Sequence, residues 1–319
     1  MLTLLVRSIT YEAENIRSFE LVDPSGKDLP PFEAGAHIDV SVPGGLTRQY
    51  SLCDSPGSRK HYRIAVLEDH AGRGGSKAMH ASLRAGDMLD VSEPRNLFPL
   101  KPGARHNVLL AGGIGITPLL SMVDQLQRDQ QSFELHYCTQ KPERTAFRSR
   151  LQSLVAGDQA FLHHDGGDPK NGLDIVTKLE KYEEGVHLYF CGPPGFMKAV
   201  QKAAAHWPEH AVHYEYFGVD PSLAEKLAAS APSEGVQIRL AKSDKVLTVE
   251  PGQTILAAIR QAGVACESSC ESGLCGTCKV RYFSGKPDHN DFVLSEEEKN
   301  EYVLVCCAGP GTEALLLDL

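Results

Sequence analysis

Cys270-Glu-Ser-Gly-Leu-Cys275-Gly-Thr-Cys278, toward the C-terminal end of the chain, decides how the rest is read. Three cysteines at C-x4-C-x2-C, with Cys306 and Cys307 further on, have the plant-type [2Fe–2S] spacing. Two irons bridged by two sulfides need four thiolates converging on one small object. A tight loop supplies three and another part of the fold the fourth. Gly273 and Gly276 lack a Cβ, so the loop can take unusual φ and approach the sulfurs closely. Ser268, Ser269, Ser272 and Thr277 bring hydroxyls to the same place, and such hydrogen bonds tune a cluster's potential. A zinc site or a set of buried free thiols are the competing readings. Zinc sites pair two C-x2-C knuckles or mix in histidine, and no second knuckle is present.

Bulk composition fits this reading. The 319 residues suggest two or three domains, and 42% hydrophobic with 23% charged residues is ordinary for a globular protein. No apolar run reaches the roughly 18 residues of a membrane span, so no membrane attachment is expected. The start, Met1-Leu-Thr-Leu-Leu-Val-Arg7, lacks the features of a signal peptide, so a cytoplasmic protein is expected. The nine cysteines do not follow a secreted disulfide pattern. Cys53, Cys138, Cys266 and one of Cys306 and Cys307 read as buried thiols. The net charge of −9 argues against nucleic-acid binding. Residues 233–319 hold 8 Lys/Arg against 13 Asp/Glu, which reads either as simple solubility or as a negative docking face around the cluster.

Upstream, residues 1–101 read as short strands at Leu2–Ile9, Ile16–Leu21, His37–Val42, Gln49–Leu52, Tyr62–Val66 and Met88–Val91, separated by Gly/Pro/Asp turns. Such spacing predicts a small antiparallel barrel. Two motifs lie in it. Arg48-Gln49-Tyr50-Ser51 could hold a flat ring with an anionic tail, although R-x-Y-S alone is weak. Gly72-Arg73-Gly74-Gly75-Ser76, ahead of a possible helix, is either a plain glycine loop or an anion site built from backbone amides, with Arg73 and Ser76 in support.

Residues 102–220 alternate strand and helix. The strand Asn107–Leu110 runs into Ala111-Gly112-Gly113-Ile114-Gly115-Ile116-Thr117-Pro118 and a helix over Leu119–Arg128. Strand, glycine turn and helix together make a pyrophosphate site. Its pattern is G-G-x-G-x-x-P, not the usual dehydrogenase fingerprint. A strand over Phe133–Cys138, a helix over Pro142–Val155 and strands over Gln159–His163 and His187–Cys191 follow. The last enters Cys191-Gly192-Pro193-Pro194-Gly195 and a helix over Phe196–His206, and Ala211–Tyr216 closes the sheet ahead of Phe217. A turn at the C-terminal end of a parallel strand is where open α/β sheets bind ligands. Residues 221–233 have a linker's composition. In 234–319 a hairpin, a helix over Thr254–Ala262, the cysteine loop, a strand over Lys279–Phe283, a capped helix over Ser295–Asn300 and a strand over Tyr302–Val305 predict an α+β, β-grasp-like module.

Taken in this order, R-x-Y-S, G-R-G-G-S, G-G-x-G-x-x-P, C-G-P and the C-terminal C-x4-C-x2-C resemble the phthalate dioxygenase reductase family, which includes vanillate demethylase reductases, over essentially the full length. The resemblance implies a flavin-binding barrel, an NADH-binding α/β domain and a plant-type ferredoxin domain, with FMN as the flavin. By that analogy Arg48, Tyr50 and Ser51 hold the flavin ring and ribityl chain. Gly74, Gly75 and Ser76 bind its phosphate with Arg73, and Thr117 lies nearby. Gly112, Gly113 and Gly115 border the NADH pyrophosphate, Cys191, Gly192 and Pro193 face the nicotinamide, and Phe217 covers the flavin. Cys191, Ser51 and Phe217 stand closest to the chemistry. Cys270, Cys275, Cys278 and Cys306 match the cluster ligands. Adjacent strand residues face opposite ways, so one of Cys306 and Cys307 is expected to reach the cluster, and the family spacing favours Cys306.

Electron counting gives the mechanism. NADH delivers two electrons as a hydride, a [2Fe–2S] cluster takes one, and a flavin converts between the two. The chain has no evident oxygen-activating motif, so a separate terminal Rieske-type oxygenase is the expected partner of a monomeric reductase. An FAD-containing reductase for another acceptor and a non-enzymatic iron–sulfur sensor are the alternatives. The flavin and nucleotide motifs weigh against the sensor.

Overall fold

Alternation along the N-terminal strands builds the first sheet. In Met88–Val91 the even positions face out and Leu89 and Val91 face in, as a half-buried strand requires. A computed structural model describes the whole chain except Gly44, Ala71, Arg73, residues 218–234, Ser269, Cys270, Ser272, Leu274, Cys275, Phe292, Thr312 and Glu313. It divides into two units, Met1–Phe217 and Gly218–Leu319.

The first unit contains two sheets. Strands β1 (Leu2–Ala13), β2 (Ile16–Val22), β3 (His37–Val42), β4 (Leu46–Ser51), β5 (Tyr62–Leu67) and β6 (Met88–Val91) pair antiparallel in the order β4-β3-β6-β1-β2-β5. A bridge between Leu52 and Ile64 joins the two ends, so the sheet closes as a barrel. Leu4, Val6, Phe19, Leu21, Ile38, Val40, Tyr62 and Ile64 fill it. Helix α1 (Gly75–Ser82) packs its buried Met79 into the same core.

The second sheet is wholly parallel. It alternates β7 (His106–Gly112), α2 (Ile116–Arg128), β8 (Phe133–Thr139), α3 (Arg148–Ala156), β9 (Ala160–His164), α4 (Ile175–Lys178), β10 (Val186–Cys191), α5 (Pro194–Ala203) and β11 (Val212–Glu215). The strand order is β11-β10-β7-β8-β9. The chain leaves β7 toward β8 on one side and returns to β10 on the other. The crevice at the C-terminal ends of β7 and β10 is therefore the topological switch point. Barrel and parallel sheet are tied together: the Gly35 amide donates to Ser121 Oγ at 3.0 Å, and Arg150 of α3 reaches Asp124 at 2.6 Å and Asp54 at 3.6 Å.

Helices α3 and α5 differ from expectation. The stretch 142–155 is a short 3-10 turn at Pro142–Arg144, then α3. Phe147 breaks the path at φ 59°, which lets its ring bury against the core while Thr145 bonds Thr139 and His164. Helix α5 starts two residues early, at Pro194, because proline suits the first helical turn. It ends at Ala203, and Trp207 beyond it donates its indole N–H to Leu179 O.

The second unit holds β12 (Val236–Leu240), β13 (Lys245–Val249), α6 (Ile255–Gln261), β14 (Lys279–Ser284), β15 (Tyr302–Leu304) and β16 (Leu315–Leu317). The order is β13-β12-β16-β14-β15, with β12 and β16 parallel and the other pairs antiparallel. This is a β-grasp-like mixed sheet with one helix. Strand β16, which lies between β12 and β14, has no counterpart in the sequence reading. Thr254 caps α6, its hydroxyl accepting from the Ala257 amide at 3.1 Å. Ser295 and Glu298 form the expected reciprocal capping box, at 3.0 and 3.2 Å, but the turn they start is 3-10, at Glu298–Asn300.

Candidate redox site

The crevice at the switch point is built backbone on backbone. A Cβ on Gly115 would stand 2.2 Å from Cys191 O, and one on Gly112 would stand 2.8 Å from Pro193 Cδ. On Gly192 it would meet Gly112 Cα at 3.0 Å. The glycine turn after β7 and the Cys191-Gly192-Pro193 turn after β10 are thus one surface, and only glycine permits the approach. Gly113 instead faces open space at φ 53°. Thr117 is buried and donates its hydroxyl to Ile114 O at 3.1 Å, closing the turn.

A polar seam joins this crevice to the barrel. Ser51, the last residue of β4, is buried and donates to Glu215 Oε2 at 3.3 Å. Glu215 ends β11 and pairs in register with Cys191, the end of β10. Cys191 is fully buried, and burial, with the Glu215 carboxyl adding to it, holds its thiol well above the ordinary range. It is a neutral, soft surface rather than a nucleophile. Burial pushes the Glu215 carboxyl up to about 8, against the opposing hydrogen bond from Ser51. His37, opposite Ser51 in the β3–β4 ladder, places Nδ1 3.9 Å from Glu215 Oε1. Sequence reading missed both Glu215 and His37. The available signal was an acidic residue inside the aromatic run His213-Tyr-Glu-Tyr-Phe217.

Helix α1 forms a second cradle. Gly74 caps it at φ 90°, with no side-chain cap among the described residues. The Arg48 side chain crosses this helix start so closely that a Cβ on Gly75 would meet Arg48 Cγ at 2.8 Å. Ser76 Oγ accepts from the Asp69 amide at 3.0 Å. Tyr50 lies two residues from Arg48 on β4, and burial pushes its phenol up to about 12. A missing Cβ, a helix start without a side-chain cap among the described residues and a guanidinium fit a phosphate, and Tyr50 and Ser51 continue the same strand toward the crevice. The residues present therefore fit a phosphate-bearing flavin. Arg73 lies outside the described residues. Phe217 is 44% exposed, a large ring left open to solvent.

In the second unit Cys278 and Cys306 are buried, while Cys270 and Cys275 lie outside the described residues. Gly273 and Gly276 take φ 70° and 72°, as the loop argument requires. The premise that strand alternation separates Cys306 from Cys307 does not hold. Strand β15 ends at Leu304, and both cysteines occupy the turn after it, where the Cys307 and Ala308 amides both return to Leu304 O. A Cβ on Gly273 would lie 2.8 Å from Cys307 Sγ, so Cys307 also reaches the loop. Hydrogen bonds from Cys278 and Cys307 hold the Cys306 thiol below its ordinary range, and the neighbouring Cys306 pushes Cys307 up. A set of soft sulfurs around a glycine-opened loop fits an iron–sulfur cluster.

Family models match both halves of this arrangement. An oxidoreductase NAD-binding domain matches residues 109–202, and a 2Fe-2S iron-sulfur cluster binding domain matches residues 238–311. The chain is 45% identical to the tert-butanol monooxygenase / tert-amyl alcohol desaturase reductase subunit of Aquincola tertiaricarbonis, covering 100% of this chain and 96% of that protein. It is 43% identical to a vanillate O-demethylase oxidoreductase of a Pseudomonas species over 100% of both. Among solved structures, phthalate dioxygenase reductase superposes with a TM-score of 0.81 at 42% identity, covering 100% of this chain and 98% of that one. The chain belongs to the phthalate dioxygenase reductase family. It is a flavin- and iron–sulfur-dependent NAD(P)H oxidoreductase, the reductase component of an oxygenase system. In this reductase the NAD-binding match spans the Gly112–Gly115 and Cys191–Pro193 turns, and the cluster match spans all four expected ligands. Among the described residues no helix is long and apolar enough to cross a membrane.

Proposed function

We propose that residues 1–101 bind FMN, 102–220 bind NADH, 221–233 link them to the ferredoxin domain at 234–319, and that electrons leave through that domain to a separate terminal Rieske-type oxygenase. FMN, when bound, takes the two electrons of a hydride and releases them one at a time, as a one-electron cluster requires. Arg48, Arg73, Gly74, Gly75 and Ser76 hold its phosphate, with Thr117 nearby, and Tyr50 and Ser51 hold the ring and ribityl chain. Gly112, Gly113 and Gly115 carry the NADH pyrophosphate, and Cys191, Gly192 and Pro193 face the nicotinamide. Phe217 covers the flavin, which accounts for its exposed ring. Cys270, Cys275, Cys278 and Cys306 hold the cluster. Cys306 is preferred because it is the more deeply buried of its pair and lies beside Cys278.

The seam carries this reading. Ser51 from the barrel bonds Glu215, which pairs in register with the buried Cys191 of the parallel sheet, at the point where a doubly wound sheet binds its ligand. Burial of Ser51 and Cys191 keeps water from both, and it keeps the Cys191 thiol protonated. The turn after β8 supports NADH over NADPH. Lys141 and Arg144, the basic residues after β8, are both held by Glu14, at 2.7 and 3.5 Å, and so are engaged away from a 2′-phosphate. The reductase is expected to act as a monomer in the cytoplasm.

Flavin released by heat and chromatographed tests the barrel assignment. FMN is expected. FAD would contradict the phosphate site at α1, and absence of any flavin from a folded, iron-loaded protein would overturn the reading. Reconstitution with candidate oxygenases then identifies the partner, because the organic substrate belongs to it.

A further inference from the structure

His37 is buried, with 3% of its side chain exposed. Buried histidines ordinarily have both ring nitrogens satisfied. Here Nε2 lies 3.1 Å from the side-chain amide nitrogen of Gln49, on the paired strand. An amide nitrogen only donates, so Nε2 accepts and the neutral ring carries its proton on Nδ1. Among the described residues that Nδ1 has no hydrogen-bond partner, and Glu215 Oε1 lies 3.9 Å from it. The other oxygen of the same carboxyl takes the Ser51 hydroxyl. One carboxyl is thus faced by two donors from β3 and β4, at the end of the strand that flanks Cys191.

We propose that His37 is a positioning residue: with its tautomer fixed by Gln49, it presents Nδ1–H to Glu215 and sets the pH at which that carboxyl gives up its proton. The proposal deepens the reading of the seam as the meeting place of nicotinamide and flavin, and its consequence for rate rests on that reading. Contacts of this kind are commonly long in the unliganded protein. The charged and titratable groups around the pair are Glu215 at the end of β11, Cys191 at the end of β10, Asp39 on β3 itself, and Arg95, which follows β6 and pairs with Asp39. Burial, with the Arg95 charge added, holds His37 down to about 4, so the ring stays neutral and offers a single donor. A donor facing a carboxylate favours its ionised form. Losing that donor therefore raises the pH of ionisation.

The test is a carboxyl infrared difference titration of the holoenzyme, with Glu215→Gln assigning the band. His37→Leu is expected to move the midpoint up by about one pH unit. His37→Asn, which keeps a donor near the Nδ1 position, is expected to restore it. Nitrogen-15 NMR of histidine-labelled holoenzyme is expected to show His37 protonated on Nδ1, and Gln49→Leu is expected to release that tautomer, which keeps the proposal testable if His37→Leu does not fold. An unmoved midpoint in His37→Leu, or an Nε2-protonated ring in the wild type, overturns the proposal. The pH profile of flavin bleaching by NADH is expected to follow the infrared midpoint. If the midpoint moves and the profile does not, His37 positions Glu215 as proposed, and it is the reading of the seam that fails.

Discussion

Cys306 and Cys307 show how a single residue position escapes sequence logic. The cysteine spacing is legible because three ligands lie within nine residues and the loop geometry follows from Gly273 and Gly276. The fourth ligand depends on where β15 ends, and it ends before either cysteine. Alternation therefore cannot choose, and the proposal of Cys306 rests on its burial beside Cys278. Cys306→Ser is expected to lose the visible absorbance and reduced-state EPR signal of the cluster, and Cys307→Ser to keep both. Equal loss in both variants, or loss in Cys307→Ser alone, would reassign the ligand. Glu215 was illegible for a different reason. It has no motif, and it acquires a role only when Ser51, 164 residues away in sequence, is brought to 3.3 Å by the fold.

Elements were legible wherever the hydrophobic period was long. Strands β3 and β6 match their expected bounds because inward and outward positions alternate between turn residues. The helix expected over 142–155 is broken by Phe147, whose burial outweighs the strain of a left-handed backbone. Strand β16 was missed because three leucines give too short a period, and its pairing with β12 and β14 is long-range. The contact between the turns after β7 and β10 gives a sharper expectation. Gly115→Ala would set a Cβ 2.2 Å from Cys191 O and force the two turns apart. A loss of about 1–3 kcal/mol in stability is expected, the usual range for overpacking, with a raised KM for NADH. Gly113→Ala meets open space and carries only the strain of a positive φ, about 1–2 kcal/mol, with KM closer to wild type. Thermal unfolding and steady-state kinetics separate the two, and a Gly115→Ala enzyme with unchanged KM would mean that the turns do not form the nucleotide surface.

At the scale of the whole molecule the order of motifs was legible, and it carried the family resemblance that identity over the full chain bears out. The join between barrel and parallel sheet was not, because it is made from strand ends: Ser51 from β4, Cys191 from β10 and Glu215 from β11. That join is where hydride should leave the nicotinamide, and the cysteine loop is where single electrons should arrive. The central claim is thus that NADH reduces the cluster through the flavin. Mixing the purified holoenzyme with NADH in the absence of oxygen, while following flavin absorbance and cluster EPR together, measures this directly. Bleaching of the flavin followed by the EPR signal of a reduced [2Fe–2S] cluster is the predicted result. A bleached flavin beside a cluster that stays oxidised, or a cluster reduced in protein stripped of its flavin, would contradict it.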